Sequence, residues 1–311
     1  MTDPSTAEHE LTCRRSSAAR LGRTPVEHHP RVQGARDPGL AELLGLLSRE
    51  RYRRFLTTIA APATRHSLSS EFGEVMSFAA TDFDALGYTV TRVPITVGSG
   101  RSENLLAHRT GTGADRRKLV VATAHLDSVN QEGRSLPAPG ADDNASGSAG
   151  VLELGTVLAT RSWPNDLLLI LFGGEEQGLL GSTEFVDGLD SETRSRISAV
   201  INMDMIGRQN TPRPGVMIEG GQSSGNLIAD LVAAAGTWTE LDVTTSLDPF
   251  ASDHVPFIDA ELPAVLTIEA NDRANVYVHT AGDVLDTVDP VLAAEILTMN
   301  LAVLADHLQA P

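Results

Sequence analysis

The chain has 311 residues, 41% of them hydrophobic, enough to bury a sizeable core as one large or two small domains. Lys and Arg number 24 against 41 Asp and Glu, a formal net charge of −17 that argues against nucleic acid or an anionic membrane as a partner. Cys13 is the only cysteine, so no disulfide can form within the chain and a cysteine-based zinc site is excluded; any metal must be held by histidine and carboxylate.

Residues 1–38 are rich in Ser, Thr, Pro, Arg, Glu and His with no sustained apolar period, and read as a polar, mobile N-terminal extension in which His28 and His29 are solvated rather than a ligand pair. No apolar core of a signal peptide follows Arg14-Arg15, and no run approaches the roughly 18 apolar residues of a membrane span. At face value the chain reads as cytoplasmic, with no membrane partner and a monomer as the simplest state. Residues 39–311 are expected to form one domain.

Leu43, Leu44, Leu46, Leu47, Tyr52 and Phe55 recur at helical spacing, and a second helix runs from Ser69 to Gly87 with Phe72, Val75, Met76, Phe78, Phe83 and Leu86 on its core face. Strands are then expected at 88–95, 104–108 and 118–124, a helix at 146–160 and a strand at 167–172. Helical turns at 179–187, strands at 199–202 and 216–219, a helix at 226–235, a strand at 264–269 and a terminal helix at 290–308 complete the chain. Continuous apolar strands separated by helices indicate an α/β three-layer sandwich: a mostly parallel, mixed central sheet flanked by helices on both faces.

Three of these strands stop on potential metal ligands. The first delivers His125 and Asp127, the second delivers Glu175 and Glu176 through Gly173-Gly174, and the third delivers Asp204. A single acid at a strand end is more often a solvated turn residue. Three acidic ends in one sheet, where ligands of open α/β folds bind, are electrostatically costly unless a cation sits among them. Gly140-Ala-Asp-Asp-Asn-Ala-Ser-Gly147 places Asp142 in a loop able to span two ions, and His279 with the trailing Asp283 adds a late imidazole. The carboxylates of Asp142, Glu176 and Asp204 with one hydroxide would neutralise two divalent ions, whereas a single zinc would leave the pocket negative.

The strings His125-Leu-Asp-Ser, Gly140-Ala-Asp-Asp-Asn-Ala-Ser-Gly, Gly174-Glu-Glu-Gln-Gly-Leu-Leu-Gly-Ser, Asn202-Met-Asp-Met-Ile-Gly and His279-Thr-x-x-Asp resemble the dinuclear zinc aminopeptidase family, over residues 41–308 or so. The resemblance implies a zinc exopeptidase fold and two zinc ions, one held by His125, Asp142 and Asp204 and the other by Asp142, Glu176 and His279. It implies Glu175 as general base, Asp127 and Asp283 as acids supporting the ligands, and a cis peptide at Asp142-Asp143. The substrate implied is a peptide with a free N-terminus, and secretion becomes the alternative location. Where some relatives carry tyrosine just before the last histidine, this chain has Val278, with Tyr277 one position earlier. Val278, Met205 and Ile206 are expected to wall an apolar pocket that favours Leu, Met or Phe.

Two rival readings stand beside this one. Gly221-Gln-Ser223-Ser-Gly225 follows a strand and precedes a helix, as a serine nucleophile elbow does, with Asp253 or Asp272 and then His279 in triad order. The same architecture also serves carboxypeptidases, glutaminyl cyclases and metal-free binding ectodomains, so fold alone does not decide. Ser252-Asp253-His254 is open to a role in the site or in loop structure.

Overall fold

The computed structural model describes residues 26–310 apart from 115, 134 and 250. Its chain order is β1 (Glu27–His29), α1 (Pro38–Leu44), α2 (Arg49–Ile59), α3 (Ser70–Ala85), β2 (Thr89–Val97), β3 (Gly100–Arg109) and β4 (Leu119–His125). A turn at Ala141–Ser146, whose backbone is non-helical at Asp143 and Asn144, leads into α4 (Gly147–Leu158), then β5 (Asp166–Phe172), α5 (Leu180–Asp187), α6 (Ser191–Arg196), β6 (Ile197–Met203) and β7 (Gly215–Gly220). The remainder is α7 (Gly225–Trp238), β8 (Asp242–Ser246), α8 (His254–Asp259), β9 (Ala264–Glu269) and α9 (Pro290–Gln309).

The strands form one mixed sheet in the order β1-β8-β7-β9-β6-β4-β5-β3-β2. Its centre, β5-β4-β6-β9, is parallel, and the pairings that join β3 and β7 to it are antiparallel. The unbroken apolar runs follow from burial on both faces. In β4, Val120, Ala122 and Ala124 enter one core while Leu119 and Val121 enter the other; in β5, Leu167, Leu169 and Leu171 alternate with Leu168, Ile170 and Phe172 in the same way. The larger core lies under α2, α3, α4 and α9. The smaller is closed by Phe185 of α5 and Phe257 of α8, whose rings pack with Phe172.

Several expectations shift. The helical period at 40–55 belongs to two helices, broken after Gly45 and restarted by Ser48, whose hydroxyl accepts the Arg51 N–H at 3.2 Å. The polar extension is ordered before residue 38: Glu27–His29 pairs antiparallel with β8, and His29 Nε2 lies 2.8 Å from the Thr245 hydroxyl, so His29 is held rather than solvated. Residues 1–25, including Cys13, lie outside the described residues. The terminal helix is long and apolar enough to cross a membrane by length and composition only, and 67% of that stretch is buried inside the fold, as in a core helix.

At the end of the sheet where β5 begins, Asp166 is 2% exposed and accepts the Gly111 N–H and Arg117 Nε at 2.7 Å, with Arg196 on its other oxygen. These donors hold its carboxyl below the usual range in spite of its burial. Asp166→Asn should destabilise the fold by about 2–3 kcal/mol, below the cost of stranding fully buried charges because both arginines reach solvent. A group whose folded pKa is depressed contributes stability above its unfolded pKa, near 4, and loses it as pH falls through the folded value. Chemical unfolding should therefore show a wild-type advantage at pH 7 that shrinks on acidification below pH 4. An advantage independent of pH contradicts the ion-pair account.

Candidate metal centre

The carboxyl ends of β4, β5, β6 and β9 open on one side of the sheet, and the loops that leave them converge there. His125 is the last residue of β4 and Asp204 follows β6. Beyond β5, Gly173 and Gly174 carry the chain to Glu175 and Glu176. A Cβ on Gly173 would stand 2.7 Å from the Glu103 carbonyl, and Gly174 has φ +74°, so this turn requires glycine at both positions.

Four side chains meet around one shared carboxylate, that of Asp143. Its Oδ1 lies 3.3 Å from His125 Nε2, which is also 3.3 Å from Asp204 Oδ1. Its Oδ2 lies 3.0 Å from His279 Nε2, which is also 2.9 Å from Glu176 Oε2. Two donors about 2.1 Å from a tetrahedral ion stand about 3.4 Å apart, so both sets have close to the spacing that zinc needs. Within each set, His125-Asp143-Asp204 and Asp143-Glu176-His279, the ligand atoms all lie within 4.8 Å of one another. The other oxygen of Glu176, Oε1, is buried with no hydrogen-bond partner among the described residues. A buried carboxylate oxygen without a donor, in a group whose other oxygen faces His279, fits the donor set of a metal site.

Asp142, expected to bridge, does not face this centre. Its Oδ1 accepts the Gly207 N–H at 2.9 Å and its Oδ2 accepts Asn275 Nδ2 at 2.8 Å, which ties the carboxylate away on the far side of the loop. Of the adjacent pair of acids, the structure brings Asp143 into both candidate sets in place of the Asp142 expected from the sequence. The non-proline cis peptide is displaced by the same one residue, to Asp143-Asn144. Ile206 is also misplaced: it is fully buried against α4, where its Cδ1 would stand 3.3 Å from a Cβ on Gly150. Met205 and Val278 pack with Met217, Leu266 and Ile268 in a separate small apolar cluster.

Buried acids hold the ligand loops by their backbone. Asp127 accepts the N–H groups of Glu175 and Glu176 at 3.3 and 3.2 Å, and its carbonyl oxygen lies 3.2 Å from His125 Nδ1, closer than its own carboxylate at 3.7 Å. Asp283 accepts the N–H groups of Asp142 and Asp143 at 2.8 and 2.9 Å. Ser252 was left open by the sequence and proves to be a link: it accepts Asn202 Nδ2 at 2.8 Å and donates to Asp204 Oδ2 at 2.6 Å. Asn144, unremarked in the sequence, donates to the Met203 carbonyl and accepts the Gly147 and Met205 N–H groups, pinning the Asp143 turn to the end of β6. Short polar side chains of this kind carry no periodic signal that would reveal them.

Negative charge dominates the electrostatics. Burial pushes Glu175 well above the carboxylate range, Glu176 and Asp204 adding to it against the pull of His125, and burial also raises Glu176 to about 7. In spite of burial, Glu176 and Asp143 raise His279 to about 12. Burial raises Asp283 to about 6 against the two N–H groups it accepts. A divalent cation among these groups would reverse that pressure on the acids.

The serine elbow fails on topology. Strand β7 runs antiparallel to β9, with Gly220 opposite Val265, so Ser223 emerges near the start of β9 and donates to the Leu262 carbonyl at 3.1 Å. The carboxylate cluster lies beyond the other end of that strand, about 17 Å away at 3.3 Å per residue. Tyr277, the displaced aromatic, lies under Arg208, whose guanidinium carbon is 4.5 Å from the ring centroid.

The sequence profile of peptidase family M28 matches residues 104–304. Leupeptin-inactivating enzyme 1 of Streptomyces exfoliatus is 33% identical over 183 residues, spanning 58% of this chain and 39% of that protein. Aminopeptidase YwaD of Bacillus subtilis is 28% identical over 188 residues, 60% of this chain and 40% of its own length. The matched part of the chain thus spans about four-tenths of either relative. Among solved structures, the aminopeptidase from Aneurinibacillus sp. strain AM-1 superposes with a TM-score of 0.74 at 15% identity, covering 88% of this chain and 97% of that one, a likeness of fold. The profile match, over most of the chain and all five converging side chains, places this protein in peptidase family M28.

Proposed function

We propose that the chain is a zinc aminopeptidase that removes the N-terminal residue of peptides at a centre for two divalent ions. The observation that carries this reading is the position of Asp143, whose two oxygens face two different imidazoles. His125 and Asp204 complete one coordination set; Glu176 and His279 complete the other. Bound there, the ions supply Lewis acidity toward the scissile carbonyl and lower the pKa of water. Glu175 belongs to neither set, yet its Oε2 lies 3.9 Å from His125 Nε2, so it borders the centre while free to take a proton from the attacking water and return it to the leaving amine. Asp127 fixes that geometry, because it grips the backbone of the base and of its ligating neighbour together. The aminopeptidase names of relatives support the choice of exopeptidase type.

Met205 and Val278, with Met217, Leu266 and Ile268, offer an apolar wall for the N-terminal side chain. A panel of aminoacyl anilides, with and without chelator, tests both parts of the reading. Hydrolysis of Leu, Met and Phe anilides should exceed that of Lys and Glu anilides by about 10-fold or more, as burial of a few methylene groups allows. Chelation should abolish activity, and zinc should restore it. Activity that survives chelation rejects the metal mechanism. Equal or faster cleavage of the charged anilides rejects the apolar wall.

A further inference from the structure

Arg65 lies in the loop between α2 and α3, is fully buried, and among the described residues its guanidinium hydrogen-bonds only to backbone carbonyls. Apart from a 3.4 Å bond to the Ile59 carbonyl at the end of α2, those carbonyls belong to the two loops that carry the shared carboxylate and its first imidazole. Nε donates to the Leu126 oxygen at 2.8 Å, between His125 and Asp127. Nη2 donates to the Gly140 oxygen at 2.8 Å and Nη1 to the Pro139 oxygen, just before the Asp143 turn. Its own N–H donates to Ser128 Oγ at 3.0 Å, and that hydroxyl donates to the Ala138 carbonyl at 2.7 Å, a second strut between the same segments. Gly140 has φ +51°, and a Cβ there would clash with the Asp143 carbonyl oxygen and stand 2.7 Å from Ser128 Cβ and 3.0 Å from Nη2, so the close approach of these segments requires glycine.

A fully buried cation normally pairs with a carboxylate. Here acids surround Arg65 at longer range: Asp283, Asp127, Asp143 and Glu176 all act on it electrostatically. Its planar fork reaches four carbonyls in fixed directions, three of them in the ligand loops, which a lysine ammonium on a flexible stem cannot reproduce. We propose that Arg65 is a positioning residue that sets the distance between His125 and Asp143, and so the affinity of the centre for metal, without touching either ion or substrate. The inference rests on the two-ion reading of the site.

The test is zinc affinity of the full-length protein, measured by competition with a chromophoric chelator, alongside thermal unfolding of the metal-free form. Arg65→Lys and Arg65→Met should each weaken zinc binding by about 10–100-fold, the range for residues that orient ligands, while the metal-free variants still unfold cooperatively. Ser128→Ala removes the lesser strut and should weaken binding several-fold; it decides the matter if the Arg65 variants do not fold. Wild-type affinity in a folded Arg65→Lys variant, or in Ser128→Ala when the Arg65 variants are unfolded, overturns the inference and leaves the metal centre standing. Failure of the wild type itself to take up zinc overturns the two-ion reading, and this inference with it.

Discussion

Replacing Asp143 with alanine should strip the protein of both metal ions and reduce peptide hydrolysis on the order of a thousandfold or more, because one carboxylate serves both coordination sets. The informative control is its neighbour. Asp142→Asn should keep both ions and much of the activity, since that side chain accepts hydrogen bonds from Gly207 and Asn275 instead of facing the imidazoles. Its cost should appear in stability, about 1–3 kcal/mol for disturbing a buried hydrogen-bonded carboxyl. Elemental analysis of the purified variants, paired with turnover of a leucine anilide, separates the two positions. Metal loss in Asp142→Asn with retention in Asp143→Ala reverses the assignment.

Glu175→Gln should have the second-largest effect, of a different kind. Turnover should fall by about 10²–10⁴-fold, the usual contribution of a positioned general base, with metal content unchanged and KM little affected. The amide is nearly the shape of the carboxylate and leaves the Glu175 and Glu176 N–H groups to Asp127 as before. Loss of metal on this substitution would mean that Glu175 is a ligand. Retained turnover would mean that another group moves the proton.

Much of this side-chain cluster was legible in the residues because its members sit at or just beyond strand ends. His125 and Asp204 terminate runs of apolar residues whose burial on both sheet faces makes them easy to recognise. Asp142 and Asp143 were not separable in the same way. Neighbouring acids in a turn have the same composition and opposite directions, and it is the Gly207 and Asn275 hydrogen bonds to Asp142 that hold that carboxylate away and leave Asp143 toward the imidazoles. Ile206 failed for the reverse reason: it follows Met205 immediately, so the two side chains diverge, and the more apolar one goes to the core. Strand β8 and the short helices α6 and α8 carry too few apolar residues to show a period, and β1 is held by an edge pairing that no local signal announces. Arg65 was invisible because a buried arginine looks in sequence like any surface one.

The most direct measurement is anomalous diffraction at the zinc edge from crystals of the zinc-loaded protein. Two peaks about 3.5–4 Å apart are expected, one bordered by His125 and Asp204, the other by Glu176 and His279, with an Asp143 oxygen toward each. A single peak, or a pair bridged by Asp142, contradicts the account.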